Sequence, residues 1–205
     1  MEQIQDFLES KLTGKIRKGA LLLQKKPSPE FEQLVYSCLK KELDTNKSWE
    51  TQSELIKAAG LCNYKSIIQL IMPIVDRNEE YDMVTISTGL TFFRLQRRDL
   101  KDIEPLRAKL STIKYSLGYG MLDAIGYDRM LLAELDIKEL ISHFWDFGRN
   151  RPRGYVDPRY GLAAACAGWE PAIVKPFLQH CITTGDAPLK YVAENSLKQK
   201  YVKLR

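Results

Sequence analysis

Apolar residues recur along most of this chain at intervals of three and four, the spacing that puts them on one face of an α-helix. Ile4, Phe7, Leu8 and Leu12 form the first such stripe, within residues 2–12. Phe31, Leu34, Val35, Cys38 and Leu39 form the next, behind Ser28-Pro29, a capping serine followed by a proline at the first helical position. Ser48 is placed to cap a helix running to Gly60. Asp136 with Glu139 has the form of a capping box, ahead of a stripe of Ile137, Leu140, Ile141 and Phe144 that Gly148 would end. Asp157-Pro158 repeats the pattern of cap and proline. Asp186 opens a last helix carrying Leu189, Val192, Ala193, Ser196, Leu197 and Tyr201 on one face. Only Val84-Thr85-Ile86-Ser87-Thr88 has strand propensity, and Leu90 and Phe93 continue it at helical spacing, so this segment also reads as helix.

The pattern therefore predicts an all-α chain of roughly ten to twelve helices with short connections, either a bundle or an α-solenoid. Internal repetition separates the two. Ile56-Lys57-Ala58-Ala59-Gly60, Leu122-Asp123-Ala124-Ile125-Gly126 and Ala164-Ala165-Cys166-Ala167-Gly168 share a helix ending rich in small residues. Val84 to Gly89 is a weaker copy, and Ala193-Glu194-Asn195-Ser196-Leu197 has lost the glycine. The marks at 60, 89, 126, 168 and 197 are 29, 37, 42 and 29 residues apart, which brackets the period of two-helix repeats. Internal prolines at Pro73, Pro105 and Pro176 add a second recurring feature, because a proline inside a helix bends or breaks it.

With these marks the chain resembles the HEAT-repeat family, in which a first helix often carries a proline and the second starts near an aspartate and ends in alanines. Asp157-Pro158-Arg159-Tyr160 through Gly168, then Pro176, then Asp186 through Leu197 match best. The resemblance implies a short right-handed α-solenoid of HEAT-like helical hairpins, about five repeats, over residues 28–205, with residues 1–27 as an N-terminal helical cap. Residues 128–156 depart from the pattern, being long and carrying an unusual loop.

Composition changes this picture little. The 205 residues are 44% hydrophobic and 28% charged, with a net charge of +5, which is only mildly basic. Cys38, Cys62, Cys166 and Cys181 form no C-x-x-C pair and lie in apolar helical stretches, so they read as reduced core residues. The start, MEQIQDFLESKL, has no apolar run of signal-peptide length, and no stretch approaches membrane-spanning length. The expected setting is cytoplasmic, away from the membrane.

Candidate chemistry is sparse. The two histidines, His143 and His180, have no partner at metal-ligand spacing, and no phosphate-binding loop, dinucleotide fingerprint or nucleophile elbow occurs. No catalytic residue, metal or cofactor is predicted. Gly118-Tyr119-Gly120 lies inside a helical pattern and reads as packing. Trp49 and Trp169 read as core residues. The most unusual segment is the loop Phe147 to Tyr155, where Arg149, Arg151 and Arg153, with Arg159 beyond, place four arginines within eleven positions. Arginine suits bidentate contact with carboxylate or phosphate, so the loop is either an anionic-partner surface or a solvated loop held by Asp146 and Asp157. Arg94-Arg97-Arg98 and Lys198-Lys200-Lys203-Arg205 are further basic clusters at helix ends or on exposed faces. Lys190, Glu194 and Lys198 are spaced as a self-paired, solvated face.

Two functions fit. The first is a non-enzymatic scaffold that binds a partner protein with an acidic surface, as an adaptor or toxin-neutralising immunity protein. Its candidate contacts are Lys57, Asp123, Arg159, Tyr160 and Lys190 along one row of helices, beside Trp145 and the 149–153 loop. The second is nucleic-acid binding, since Trp145-Asp146 resembles the start of the W-D-x-x-D helix motif of HEAT-like alkylpurine DNA glycosylases. Here Arg149 stands at the second acidic position, which removes the carboxylate that would steady a cationic base.

Overall fold

The computed structural model describes residues 2–202. Lys203 and Arg205, part of the last basic cluster, lie outside the described residues. The described chain is all-helical, with no strand. Its helices are α1 (Glu2–Leu8), α2 (Thr13–Lys25), α3 (Glu32–Thr45), α4 (Trp49–Leu61), α5 (Ile68–Arg77), α6 (Met83–Gln96), α7 (Glu104–Arg107), α8 (Tyr115–Tyr127), α9 (Glu134–Phe144), α10 (Arg159–Ala165), α11 (Pro171–Thr184) and α12 (Ala187–Ser196). Val84–Thr88 lies within α6, so tertiary packing overrides its strand propensity.

The caps explain most of the boundaries. Ser48 Oγ accepts from Thr51 N at the start of α4, Asp82 Oδ2 from Thr85 N at the start of α6, and Asp186 Oδ1 from Leu189 N at the start of α12. Ser28 caps the 3-10 turn Pro29–Phe31 that leads into α3. Asn46 and Asn78 end α3 and α5 in left-handed backbone, which asparagine tolerates well. Asn78 also ties the end of α5 to the segment leading into α8, donating to Thr112 O and accepting from Lys114 N.

The even-numbered helices stack in chain order, α2 on α4, α4 on α6, α6 on α8, α8 on α10 and α10 on α12. The odd ones cover them from behind: α3 lies on α4, α5 and α7 on α6, α11 on α12, and α9 against α11. Within the row the helices run parallel. Ser53 donates to Met83 O and Thr91 to Ile56 O across α4 and α6. Asp82 N reaches Ser116 Oγ and Arg94 reaches Asp128 across α6 and α8. Most side-chain hydrogen bonds between distant elements join residues 29 to 41 positions apart.

Small residues set how closely these helices approach. A Cβ at Gly120 of α8 would sit 1.9 Å from Ile86 O of α6, and one at Gly161 of α10 would sit 2.4 Å from Leu122 O of α8. Gly89 meets Leu117 O and Gly60 meets Thr91 in the same manner. Because the obstacle at Gly120 is backbone, Gly120→Ala is expected to push α6 and α8 apart and to cost about 1–3 kcal/mol in chemical denaturation.

Several expectations are corrected. Leu12 is exposed between α1 and α2, so residues 2–12 are not one helix. Asp136 and Glu139 are not a capping box, because α9 begins at Glu134 and both side chains accept from Arg107. That helix ends at Phe144, and Gly148 serves the following turn with φ +74°. Pro73 and Pro176 are internal to their helices, but Pro105 opens the short α7. Gly168 lies in a 3-10 turn against the Tyr201 hydroxyl rather than inside the row, so its mark is not equivalent to Gly60. Trp169 is core, its Nε1 donating to Met130 O, whereas Trp49, the first residue of α4, is 51% exposed beside an open groove.

Candidate binding surface

The nine candidate contact residues separate on burial. Arg159 is fully buried, so it is no part of an exposed row. Its Nε and Nη2 make a fork to Asp157 at 2.9 and 2.7 Å, and Nη1 donates to Trp145 O at 2.9 Å and Thr184 Oγ1 at 3.3 Å. Desolvating a guanidinium costs several kcal/mol, and this site repays it with an equally buried carboxylate and a full set of acceptors. Arg151 is also consumed internally: Nη1 binds Asp157 at 3.0 Å and Nη2 binds Asp186 at 2.5 Å. Asp157, Asp186 and the two arginines thus fasten the loop to the start of α12.

Arg149 and Arg153 stay exposed, Arg149 held only loosely by Asp146 at 3.6 Å. Arg151→Ala is accordingly expected to cost about 1–3 kcal/mol. The pair Arg149→Ala/Arg153→Ala should stay within about 0.5 kcal/mol of the parent, as read by thermal unfolding.

Asp123 is a second correction. It is buried at 7% exposure between α6 and α10, and its Oδ1 has no hydrogen-bond partner. Burial pushes its carboxyl up to about 7, with Arg94 pulling modestly the other way. Tyr160 is half-buried near it, Lys57 of α4 is tied to Glu54 at 2.7 Å, and Lys190 stands exposed on α12. Among the described residues no ion pair joins Lys190 to Glu194. Trp145 and Asp146 belong to the α9–α11 side. The Trp145 ring stacks on His180 at 4.7 Å and packs near Phe177, while Asp146 meets His180 Nε2 at 3.0 Å. The basic cluster at Arg94 and Arg97 is not a free face either, since both guanidinia bind Asp128 at 2.7 Å.

All four cysteines are free thiols. Burial pushes Cys181 up to about 12 and Cys166 well above the ordinary thiol range, which makes them inert packing groups.

The residues that the sequence reading missed are tyrosines. Tyr115 opens α8, Tyr81 precedes α6, and Tyr155 lies at the end of the arginine loop. Their rings meet at 5.2 Å (Tyr81 to Tyr115), 4.9 Å (Tyr81 to Tyr155) and 5.9 Å (Tyr115 to Tyr155). Tyr115 also donates to Val156 O, which pins the loop down. Tyr81 and Tyr155 remain 40% and 37% exposed. Since α4, α6, α8 and α10 run parallel, their starts share one edge of the molecule. That edge carries Trp49, Tyr81, Met83 and Tyr155, with Arg149 and Arg153 at its far end. A groove of about 800 Å³ lies between Trp49 and Tyr81, and a depression of about 320 Å³ between Tyr81 and Arg149. The pair Tyr115 and Tyr119, four apart in a helical stretch, and Tyr155 after Gly154 were the visible signals. Contact between them depends on a loop path that one sequence does not reveal.

In comparisons with known proteins, no family model, no curated protein and no solved structure matches the chain. No described helix is long and apolar enough to cross a membrane, and no group of side chains suited to a metal ion occurs among the described residues.

Proposed function

We propose that this chain is a short right-handed α-solenoid of HEAT-like hairpins, about five repeats, and that it works by binding a partner protein. The parallel, sequential stack of even-numbered helices and the recurring spacing of its cross-links support the solenoid. The observation that carries the function is the edge where those helices begin. Exposed Trp49, Tyr81 and Tyr155 adjoin Arg149 and Arg153, and tryptophan, tyrosine and arginine are the residue types that dominate binding energy at protein interfaces. The two arginines suit carboxylates on the partner and mainly aid encounter and specificity. An adaptor and a toxin-neutralising immunity protein both work in this way.

The test is affinity capture from the native host with the parent and with Tyr81→Ala/Arg149→Glu/Arg153→Glu, followed by reconstitution with the purified partner. The expected result is a stoichiometric protein complex that the variant weakens by roughly 100-fold or more. Equal affinity of the variant overturns the reading. So does tight binding of duplex DNA or RNA that falls steeply with salt, which is the signature of the nucleic-acid alternative.

A further inference from the structure

Helix α2 and its flanks carry charge of one sign. Between Glu9 and Glu30 there is no acidic residue, while Lys11, Lys15, Arg17, Lys18, Lys25 and Lys26 are all basic and all exposed. The chain has 31 basic and 26 acidic residues, so without these six it would hold 25 against 26. The whole net positive charge therefore sits on this one helix. Arg17 feels the Glu50 carboxylate of α4, but the five lysines form no ion pair among the described residues. Glu2 and Glu9 of α1 line, with Glu30, a hollow against α3 that no α2 residue borders.

Helix physics does not ask for this pattern. The dipole favours Lys25 and Lys26 at the C-terminal end of α2, but it disfavours Lys11 and Lys15 at the start. A merely solvated face mixes both signs. The placement is also directional. Gln24 reaches Glu54 of α4 at 2.7 Å, and Gly19 packs against Leu8 of α1. Lys15, Lys18, Leu22 and Lys25, at steps of three, four and three, lie on the side of α2 turned away from Gln24. Since α2 is the first helix of the row, that side is where a preceding member of the stack would lie. Leu21 and Leu12 are 38% and 62% exposed among the lysines.

We propose that this face docks an acidic amphipathic helix of the partner protein, laid along α2 as one more member of the row. Its carboxylates meet Lys15, Lys18 and Lys25, and its apolar residues meet Leu21 and Leu22. The inference rests on the protein-binding reading and adds a second contact to the Trp49–Arg153 edge. A nucleic acid fits this face less well: α2 offers no aromatic ring for a base to stack on, and the leucines have nothing to contact on a phosphate backbone. Lysine is a flexible point charge, suited to carboxylates spread along a helix.

The probe is a fluorescein-labelled peptide of three heptads, glutamate throughout except for leucine at every third or fourth position, titrated into the full chain at physiological salt. Its control has the same composition with the leucines scattered. The striped peptide should bind saturably, roughly tenfold tighter than the control. Lys15→Glu/Lys18→Glu/Lys25→Glu should weaken it by roughly tenfold or more while the far-UV signal stays helical, and the milder Lys15→Gln/Lys18→Gln/Lys25→Gln should give an intermediate loss. Lys175→Glu/Lys198→Glu/Lys200→Glu, the same change of charge elsewhere on the exposed surface, should stay within about threefold of the parent. No saturable binding, equal binding of the scattered peptide, or equal loss from the two charge reversals would overturn the proposal. So would tighter binding of a short duplex DNA, or of phosphatidylcholine vesicles with about 30% phosphatidylserine, at the same salt. Tyr81→Ala/Arg149→Glu/Arg153→Glu should bind the peptide as the parent does, so this outcome is separate from whether the Trp49–Arg153 edge holds a protein.

Discussion

Replacing Arg159 with alanine should cost about 3–5 kcal/mol of folding stability, a large share of the whole for a domain of this size. The loss comes from what is left behind. Asp157 would remain fully buried with only Arg151 as a charged partner, and Trp145 O and Thr184 Oγ1 would lose their donor. Arg159→Lys keeps the charge but not the planar fork, so it should fall between the alanine variant and the parent. Urea denaturation measures both. A cost below about 1 kcal/mol for the alanine variant, the usual range of surface ion pairs, would mean that the Asp157–Arg159 pair is not sealed from water.

Asp123→Asn should act in the opposite direction, and only above acidic pH. The native carboxyl titrates near 7 and an unfolded one near 3.8. Between those values the folded chain holds a proton that the unfolded chain has released, so stability falls as pH rises through the window and levels off above it. Asparagine carries no such proton. The variant should match the parent below pH 4 and exceed it by about 2–4 kcal/mol at pH 8. Thermal unfolding across that range is the check. A variant no more stable than the parent at pH 8 would show that Asp123 is ionised at no cost.

Much of the fold was legible because helices announce themselves locally. Ser48, Asp186 and the apolar stripes are decided by neighbours within a turn, and α4, α9 and α12 are found close to where those signals put them. The small residues also carried their meaning, since Gly60 and Gly89 meet the next helix of the row. Residue type did place Trp169 and most of the cysteines in the core, but it misplaced several charged residues and Trp49. Arg159 and Arg151 look alike with Arg149 and Arg153 in the sequence. Their fates diverge because Asp157 and Asp186 close over the first two, and Asp186 is 35 positions from Arg151. Asp136 and Glu139 were misread for a similar reason: Arg107, 29 and 32 positions away, claims them. Trp49 failed in the other direction: at the start of α4 it lines the open groove that Tyr81 also borders, and no later described element closes over it as the 149–157 loop closes over Tyr115. The tyrosine edge was invisible until the parallel run of α4, α6, α8 and α10 brought their starts together.

The central claim is that the even-numbered helices form one parallel stack of repeated units. Nuclear Overhauser contacts from glycine α-protons test it directly. The account predicts cross-peaks from Gly60 to Thr91, from Gly120 to Ile86 and from Gly161 to Asp123, each crossing from one helix to the next along the row. A well-ordered chain that shows none of these, with the glycines seeing unrelated neighbours, would contradict it.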